Sequence, residues 1–393
     1  MNKIKFLHII GPDTKNSYGI MSQIHKNFDM KQHQFLITAY ESCKKRFPKL
    51  FEFKDNWFIP EHCSRLRRIL IFYKMLNNAE FLIWHSLYFT TAKYVYFLFF
   101  FKKFLKKSVW VEWNADLYLW EVENGTIKGK IKNFINRKIR ENFKYVAATF
   151  PVDIYEIKRQ FDDQKVCFYT PMPNPMKGAT ELIDFINNSK PETKKGDRIE
   201  VQIAHNAFQF NNHAKLIDIL SKFKNENVRF IVPMSYGVYG INGRFGGRLY
   251  LESIKKLAKS QFGKKVVIIE KNIPFDKYIS VLWNIDIAVF DFDRPCGLGT
   301  LRILLLMEKK IFLPAGSPYY NFLKEKQLPV YDTNSIPYMT FEEFTSPPVY
   351  RNKEWVYEYL NNEKTVKYWD EMFQTLMKEE MQYEKNNDSR GNK

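Results

Sequence analysis

The chain has 393 residues, a formal net charge of +18, and hydrophobic and aromatic shares of 45% and 17%. The length is sufficient for two domains, and the apolar content excludes a globally disordered chain. So large a positive charge predicts an anionic partner, namely nucleic acid, a phospholipid surface or a phosphorylated ligand. The cysteines at positions 43, 63, 167 and 296 form no Cys-x-x-Cys pair, which argues against a zinc site or a disulfide framework.

The first half of the chain alternates short apolar segments with amphipathic ones, which is the pattern of successive βα units. We predict helices at 18–28, 65–76 and 128–144, and strands at 4–10, 34–38, 56–60, 80–84, 108–113, 145–149 and 165–169. Residues 87–105 are dense in Phe and Tyr and end in lysines, so they form either an aromatic core helix or a helix lying partly in a membrane interface. The basic side of the 128–144 helix favours an anionic membrane surface.

Prolines at 171–175 and a polar stretch at 187–198 predict a linker, after which the βα alternation restarts. Strands are predicted at 199–204, 228–232, 265–269, 287–290, 311–313 and 329–331. The domain bounds that follow are 1–170, a linker at 171–197, a second domain at 198–352, closing helices at 353–383 and a disordered tail at 384–393. The expected fold is α/β, with two doubly wound Rossmann-like domains facing a cleft.

Polar residues follow the predicted strands throughout the chain, at the strand ends where parallel sheets bind ligands. These clusters lie at 11–13, 85–86, 114–116, 206–213, 233–237 and 294–300. Two domains that face each other would direct all of these loops into one cleft. That convergence favours an enzyme.

The segment from Asp286 to Gly316 carries the clearest of these signals. A predicted strand at 287–290 is followed by Gly297 and Gly299, and Thr300 is placed to cap the next helix. Glycines let the backbone approach a ligand closely, and the N–H groups of a helix start favour phosphate. The sequence therefore allows either a diphosphate-binding loop or a tight βα turn.

Several separate phrases of the chain occur in the order found in one enzyme family. They are Trp113–Tyr118, Asn206 with Asn212-His213, Val232–Tyr236, Phe275-Asp276-x-Tyr278, Gly297–Leu301 and Gln327–Val330. Through them most of the chain resembles the 4-acetamido-4,6-dideoxygalactosyltransferase family. The resemblance implies a GT-B type of fold, with an acceptor- and membrane-facing N-terminal domain and a nucleotide-sugar-binding C-terminal domain.

The resemblance also implies an activity. Members transfer an N-acetylated dideoxyaminosugar (Fuc4NAc) from a dTDP-sugar to a polyprenyl-diphosphate-linked saccharide in enterobacterial common antigen synthesis. They act on the cytoplasmic face of the bacterial inner membrane. For this chain the expected partners are therefore a nucleotide-sugar donor, a polyprenyl-diphosphate acceptor and an anionic membrane surface, with no nucleic acid and no cofactor.

Candidate site residues follow from these roles. Donor binding is expected of residues in the second half, with loop-capping, core or surface positions as the structural alternatives: Asn206, Asn212, His213, Met234, Tyr236, Arg294, Gly297, Gly299 and Thr300. Glycosyl transfer needs a group that takes the acceptor proton, and Asp116 is the first candidate. An Asx turn or N-cap would explain Asp116 equally simply. His8, Asp13 and His85 are the other candidates for the base.

The phrase Asp291-Phe-Asp293 resembles the metal-binding Asp-x-Asp motif of the other glycosyltransferase fold, but it lies in a different architecture, so no metal is expected. Three alternatives to the expected activity stay open. One is a glycosyltransferase of this fold that uses another nucleotide sugar for capsule or O-antigen. The others are a basic nucleic-acid-binding protein and a lipid-binding protein without catalysis. The linkage, the stereochemical course and the oligomeric state are not specified by the sequence.

Overall fold

The computed structural model describes residues 3–11, 15–38, 44, 48–53, 56–59, 62–87, 92–121, 125–172, 179–190, 196–237, 243–292, 296–359 and 362–391. It divides into two compact units, residues 1–178 with 362–393 and residues 179–361. The strands are β1 (Ile4–Ile10), β2 (His33–Ile37), β3 (Asn56–Phe58), β4 (Ala79–His85), β5 (Ser108–Glu112), β6 (Tyr145–Ala148), β7 (Val166–Tyr169), β8 (Ile199–Ile203), β9 (Val228–Pro233), β10 (Val266–Ile269), β11 (Ile287–Val289), β12 (Lys310–Leu313) and β13 (Val330–Asp332).

The α-helices of the described residues connect these strands. In chain order they are α1 (Lys15–Asn27), α2 (Arg65–Asn77), α3 (Ala92–Phe100), α4 (Ala115–Tyr118), α5 (Ile127–Glu141), α6 (Pro151–Gln160), α7 (Ala179–Asn188), α8 (His213–Leu220), α9 (Gly243–Phe262), α10 (Phe275–Asn284), α11 (Leu298–Leu306), α12 (Pro318–Glu325), α13 (Phe341–Thr345), α14 (Lys353–Tyr359) and α15 (Asn362–Gly391). Short 3₁₀ segments lie between them, including Lys102–Lys107 after α3.

The first unit is built on a parallel sheet with the strand order β3-β2-β1-β4-β5-β6-β7. Both faces are covered, so the strands are almost continuously apolar, as buried parallel strands require. Leu82 and Trp110 face a core shared with α2, α3 and α5, while Phe6 and Val111 face a core shared with α1 and α15. The order of connection reverses between β1 and β4, which makes their carboxyl ends the topological switch point.

The second unit repeats the design with the parallel order β10-β9-β8-β11-β12-β13. Its core joins Ile203, Val232 and Phe312 of the sheet to Leu216 of α8 and Ile254 of α9. The switch point lies between β8 and β11. The predicted fold class, two doubly wound parallel α/β domains, is confirmed.

The closing helices differ from the prediction for residues 353–393. α14 belongs to the second unit, whereas α15 belongs to the first. α15 also extends through Gly391, where a disordered tail was expected from residue 384. The physical reason for its return is an apolar stripe at helical spacing, Trp369, Met372, Phe373 and Leu376, which packs on the first sheet. None of the helices described is long and apolar enough to span a bilayer.

Candidate functional site

The turn before α11 is formed by a glycine whose conformation and surroundings both exclude a side chain. Gly297 is the N-cap of α11 and has a φ of +67°, in the left-handed region. A Cβ added there would lie 2.8 Å from ring atoms of His205. The backbone therefore packs directly on the imidazole. The first α11 N–H groups, those of residues 298–300, have no intrahelical acceptor, and a helix start of this kind favours anions.

His205 is held in one tautomer by Asn206. The Asn206 Oδ1 accepts hydrogen bonds from Phe208 N at 2.9 Å and from Asn211 Nδ2 at 2.7 Å, so its Nδ2 is the donor in the 2.7 Å contact with His205 Nε2. Because Nε2 accepts, the proton of the neutral imidazole is on Nδ1. Asn206 thus organises the turn through its own hydrogen bonds.

The remaining predicted donor residues fall into two groups. Asn212 caps α8 and donates from Nδ2 to the Asp291 carbonyl at 2.9 Å, and Thr300 Oγ1 is 2.7 Å from Tyr278 Oη. Tyr236 is 48% exposed, with its ring centroid 6.4 Å from that of His205. These side chains lie with Asn206, Gly297 and Gly299 at the carboxyl edge of the second sheet.

Two predicted donor residues lie inside the second unit instead. Met234 is fully buried in the core, which matches its structural alternative. His213 is also fully buried, its Nδ1 is 2.8 Å from Tyr250 Oη, and burial lowers its pKa to about 4. Arg294 lies outside the described residues, as does Asp293 of the Asp-x-Asp phrase. Asp291 pairs with Lys215 Nζ at 2.9 Å, and no group of three or more metal-ligating side chains occurs in the part of the chain that the structure describes.

Asp116, the first candidate for the base, is fully buried at the carboxyl edge of the first sheet. Its Oδ2 accepts from Leu87 N at 2.9 Å and from Trp110 Nε1 at 2.6 Å, and its Oδ1 accepts from Trp113 N at 2.7 Å. A carboxylate whose oxygens hold three internal donors is poorly placed to take a proton from a ligand. This geometry favours a positioning role, in which Asp116 joins the segment after β4 to the segment after β5.

A second carboxyl group lies at the end of β5 and was missed by sequence reasoning. Glu112 is fully buried and accepts from Asn114 N at 2.7 Å and from Thr149 N at 3.0 Å. Burial, followed by the neighbouring carboxylates of Asp153 and Asp116, raises the pKa of Glu112 well above its usual value. Burial also raises the pKa of Asp153 to about 6, and its Oδ1 accepts from Tyr118 Oη at 2.7 Å. The charged forms of both carboxyl groups are therefore disfavoured in the folded protein.

The first unit also presents a surface that is apolar and basic at once. Rings of Tyr73 on α2 and Phe97 on α3 lie 6.2 Å apart, and Phe99 on α3 lies 6.5 Å from Phe134 on α5, so the three helices are adjacent. These three helices and the residue after α3 expose large apolar side chains, namely Leu66, Ile69, Leu70, Phe100, Phe101, Ile127, Ile131 and Phe134. Exposed cations among them include Arg65, Arg67, Lys102, Lys106, Lys128, Lys130, Lys132 and Lys138. We call this set the basic apolar surface.

A groove of about 330 Å³ opens in the basic apolar surface, between α3 and α5. Leu98, Phe99 and Phe134 supply apolar lining, and Lys102 and Lys138 also line it. Within residues 87–105 the structure shows a helix that packs on the core, and the membrane interpretation stays a prediction. α3 packs on the core through Leu98, whereas Phe100 and Phe101 stay exposed.

Comparisons with known proteins place these sites in context. A family model described as 4-alpha-L-fucosyltransferase glycosyl transferase group 56 matches residues 20–343. A glycosyltransferase from Rickettsia africae is 12% identical, with 96% of this chain and 100% of that chain covered and a TM-score of 0.60. HepE from Anabaena, solved with UDP and glucose, is 9% identical over 95% and 100% of the two chains, with a TM-score of 0.64. Sucrose-phosphate synthase from Thermosynechococcus elongatus is 10% identical over 95% and 99%, with a TM-score of 0.62.

Proposed function

Because the chain belongs to glycosyl transferase group 56, and is thus a GT-B glycosyltransferase that uses nucleotide sugars, we propose the following reaction for it. It transfers an N-acetylated dideoxyaminosugar, such as Fuc4NAc, from a dTDP-sugar to a polyprenyl-diphosphate-linked saccharide for bacterial surface polysaccharide synthesis. The proposed donor site rests on the Gly297 turn, which packs on His205. The proposed acceptor site rests on the basic apolar surface.

The donor diphosphate binds at the start of α11. The N–H groups of Gly299 and Thr300 and the positive end of the helix stabilise the negative charge that develops on the leaving nucleoside diphosphate. Arg294, three residues before Gly297, adds a full positive charge to the same group. Tyr236, half exposed after β9, packs against the thymine base. These backbone donors need no change of protonation, which suits a diphosphate diester of fixed charge.

The acceptor is delivered at a membrane. Exposed apolar side chains bounded by lysines and arginines are the features of proteins that bind an anionic lipid interface without crossing it. Leu66, Phe100 and Ile127 are 74%, 73% and 78% exposed, too much apolar area to leave in water without a partner. The groove between α3 and α5 offers room for part of a hydrocarbon chain, with Lys102 and Lys138 beside it for phosphate. The proposed location is the cytoplasmic face of the bacterial inner membrane.

The donor half is tested by substitution in the glycine turn. Gly297→Ala places a Cβ on His205, whereas Gly263→Ala, the matched control, has a similar φ of +56° and no atom within 4 Å of the added Cβ. Transfer of labelled sugar to a polyprenyl-diphosphate saccharide is measured with a panel of dTDP- and UDP-sugars. We expect Gly297→Ala to weaken kcat/KM for the donor about a hundredfold, the scale of one lost backbone donor. Gly263→Ala should stay near wild type.

The panel also separates the proposal from its alternatives. Transfer from a UDP-sugar with no transfer from any dTDP-sugar would replace the proposed donor by another nucleotide sugar. Equal activities of Gly297→Ala and wild type would remove the α11 turn from the donor site.

A further inference from the structure

Three buried histidines form a continuous hydrogen-bonded row across the first sheet. His33 Nδ1 is 2.9 Å from His8 Nε2, and His8 Nδ1 is 2.9 Å from His85 Nε2. They are 4%, 0% and 1% exposed. We call these residues the histidine row.

The histidine row runs diagonally from one edge of the sheet to the other. His33 is the first residue of β2 and pairs in register with Phe6 of β1, two residues before His8. His85 is the last residue of β4 and pairs with Ile10 of β1, two residues after His8. The row therefore connects the amino edge of the sheet, at His33, with the carboxyl edge at the switch point, at His85.

The surroundings of the row are aromatic along most of its length. His85 contacts Trp113 and Trp369, with ring centroids at 6.2 and 5.8 Å. Phe35 and Phe373 lie beside His8 at 4.9 and 6.0 Å. His33 lies among Phe6, Phe28 and Phe373, and Asp29 is the charged group that acts on it.

Burial keeps the row neutral at rest. Burial lowers the pKa of His85 to about 3 and that of His33 to about 4, and the Asp29 carboxylate acts in the opposite direction on His33. Burial, and then any charge on His33 or His85, lowers the pKa of His8 well below its usual value. Burial therefore disfavours a proton throughout the row, and the Asp29 carboxylate partly offsets this at His33.

At the carboxyl end of the row, His85 Nδ1 is buried and has no hydrogen-bond partner among the residues that the structure describes. The same holds for Trp113 Nε1 and Thr170 Oγ1. These residues end or follow β4, β5 and β7, and they lie on the sheet face that α15 covers. The two nitrogens of an imidazole point away from each other, so Nδ1 of His85 faces away from His8. Buried polar groups without partners at one edge are a place where a ligand hydroxyl restores the missing hydrogen bonds.

We infer that His85 is the catalytic base of the proposed transfer and that the histidine row conducts the proton away. The inference rests on the proposed function. The acceptor O–H bond breaks, its proton goes to His85 Nδ1, and the oxygen electron pair forms the bond to the anomeric carbon. The bond from that carbon to the diphosphate oxygen breaks, and its electron pair leaves with the nucleoside diphosphate. His85 then gives its Nε2 proton to His8 Nδ1, and His8 gives its Nε2 proton to His33 Nδ1.

Asp116 is a positioning residue in this arrangement. It accepts from Leu87 N, two residues after His85, and from Trp113 N, whose ring contacts His85. Both segments that flank the base are thereby fixed. This accounts for a fully buried carboxylate beside a base that it does not touch.

The resting row has a defined tautomer if His85 is the base. An unprotonated Nδ1 on His85 requires Nε2–H on His85, and each N–H···N contact then requires Nε2–H on His8 and on His33. ¹⁵N NMR of histidine-labelled full-length protein without ligand reads this directly, and it requires no activity. Nε2–H on all three residues is the expected result. Nδ1–H on His85 would make it a donor and overturn the inference.

Kinetics provide the second test, on folded variants. His85→Asn should lower single-turnover transfer about 10²–10⁴-fold, the usual contribution of a general base, with the donor dissociation constant unchanged. His85→Ala should regain part of the rate when imidazole is added. His8→Phe keeps the base but breaks the row, so it should lower the rate less than loss of His85 does, and added imidazole should not restore it. His25→Asn, a histidine stacked on Phe35 outside the row, is the control and should stay near wild type.

These outcomes separate the inference from the proposed function. If wild type transfers sugar but His85→Asn transfers at an undiminished rate, the inference is wrong and the proposed function stands. If wild type transfers no sugar from any donor of the panel, the proposed function is wrong, and only the NMR result still bears on the row.

Discussion

The carboxyl edges of the two sheets present different chemical groups. The edge of the second unit consists mainly of backbone, with the left-handed Gly297, the α11 start and the Asn206 hydrogen bonds. The edge of the first unit consists of buried ionisable side chains, Glu112 with Asp153 and His85. Backbone N–H groups keep a fixed polarity, so they suit a ligand of fixed charge. Side chains with displaced pKa values suit a step in which a proton moves. The same doubly wound topology thus supports two kinds of chemistry.

The largest effect on stability is expected at Asp116, because this one carboxylate accepts three buried donors at the carboxyl edge of the first sheet. Asp116→Ala leaves Leu87 N, Trp113 N and Trp110 Nε1 buried without an acceptor. The free energy of unfolding should fall by about 3–5 kcal/mol, because each orphaned buried donor costs about 1–3 kcal/mol and partial relaxation recovers some of it. Urea unfolding checks this. Asp163→Ala, at an exposed site, is the control, and equal stabilities of the two variants would contradict the positioning role.

The second effect is on membrane binding by the basic apolar surface, which belongs to the first unit. Replacing Lys128, Lys130 and Lys132 of α5 by Gln should weaken binding to anionic phospholipid vesicles by about 3 kcal/mol, at about 1 kcal/mol for each cation. Sedimentation with vesicles at low and high salt measures it. Replacing Lys256, Lys259 and Lys264 by Gln is the control. These lysines are exposed in the second unit, so the same amount of charge is lost outside the basic apolar surface. If both triple variants lose binding equally, net charge rather than this surface holds the protein on the membrane.

The third effect is a pH dependence confined to the first edge. Burial raises the pKa of Asp153 from its usual 3.8 to about 6 in the folded protein. Between these values the folded state binds more of the Asp153 proton than the unfolded state, so the contribution of Asp153 to stability decreases as pH rises through the window from about 4 to 6, whereas the buried histidines, whose pKa values are lowered, contribute in the opposite direction. Each pH unit changes the free energy of unfolding by at most about 1.4 kcal/mol for one proton. The difference in the free energy of unfolding between wild type and Asp153→Asn should therefore decrease as pH rises through this window, and a difference that does not change with pH would place the titration on another group.

The sequence predicted the repeated parts of the molecule better than the contacts between distant segments. Short apolar runs placed the strands of both sheets, and the Gly297 turn was recognised because strand, glycine and helix start lie within one short segment. The role of Asp116 depends on donors from Leu87 and Trp110, which the topology brings together. A single sequence does not display that proximity, so it leaves Asp116 as a candidate either for the base or for an Asx turn or N-cap.

The return of α15 and the histidine row illustrate the same limit. The apolar spacing around Trp369 predicts a helix but not the sheet on which it packs. His8, His33 and His85 come into line only because β1 lies between β2 and β4, with registers offset by two residues on each side. His205 was missed for a related reason, since its function as the platform under Gly297 depends on β8 and β11 being neighbours.

The division between the two edges is tested most directly by measuring donor affinity and single-turnover rate on Gly297→Ala and His85→Asn side by side. We expect Gly297→Ala to raise the donor dissociation constant. We expect His85→Asn to leave this constant unchanged and to lower the rate at saturating donor about 10²-fold or more. The opposite assignment, or a His85→Asn protein that binds donor weakly and reacts normally once saturated, would contradict this division.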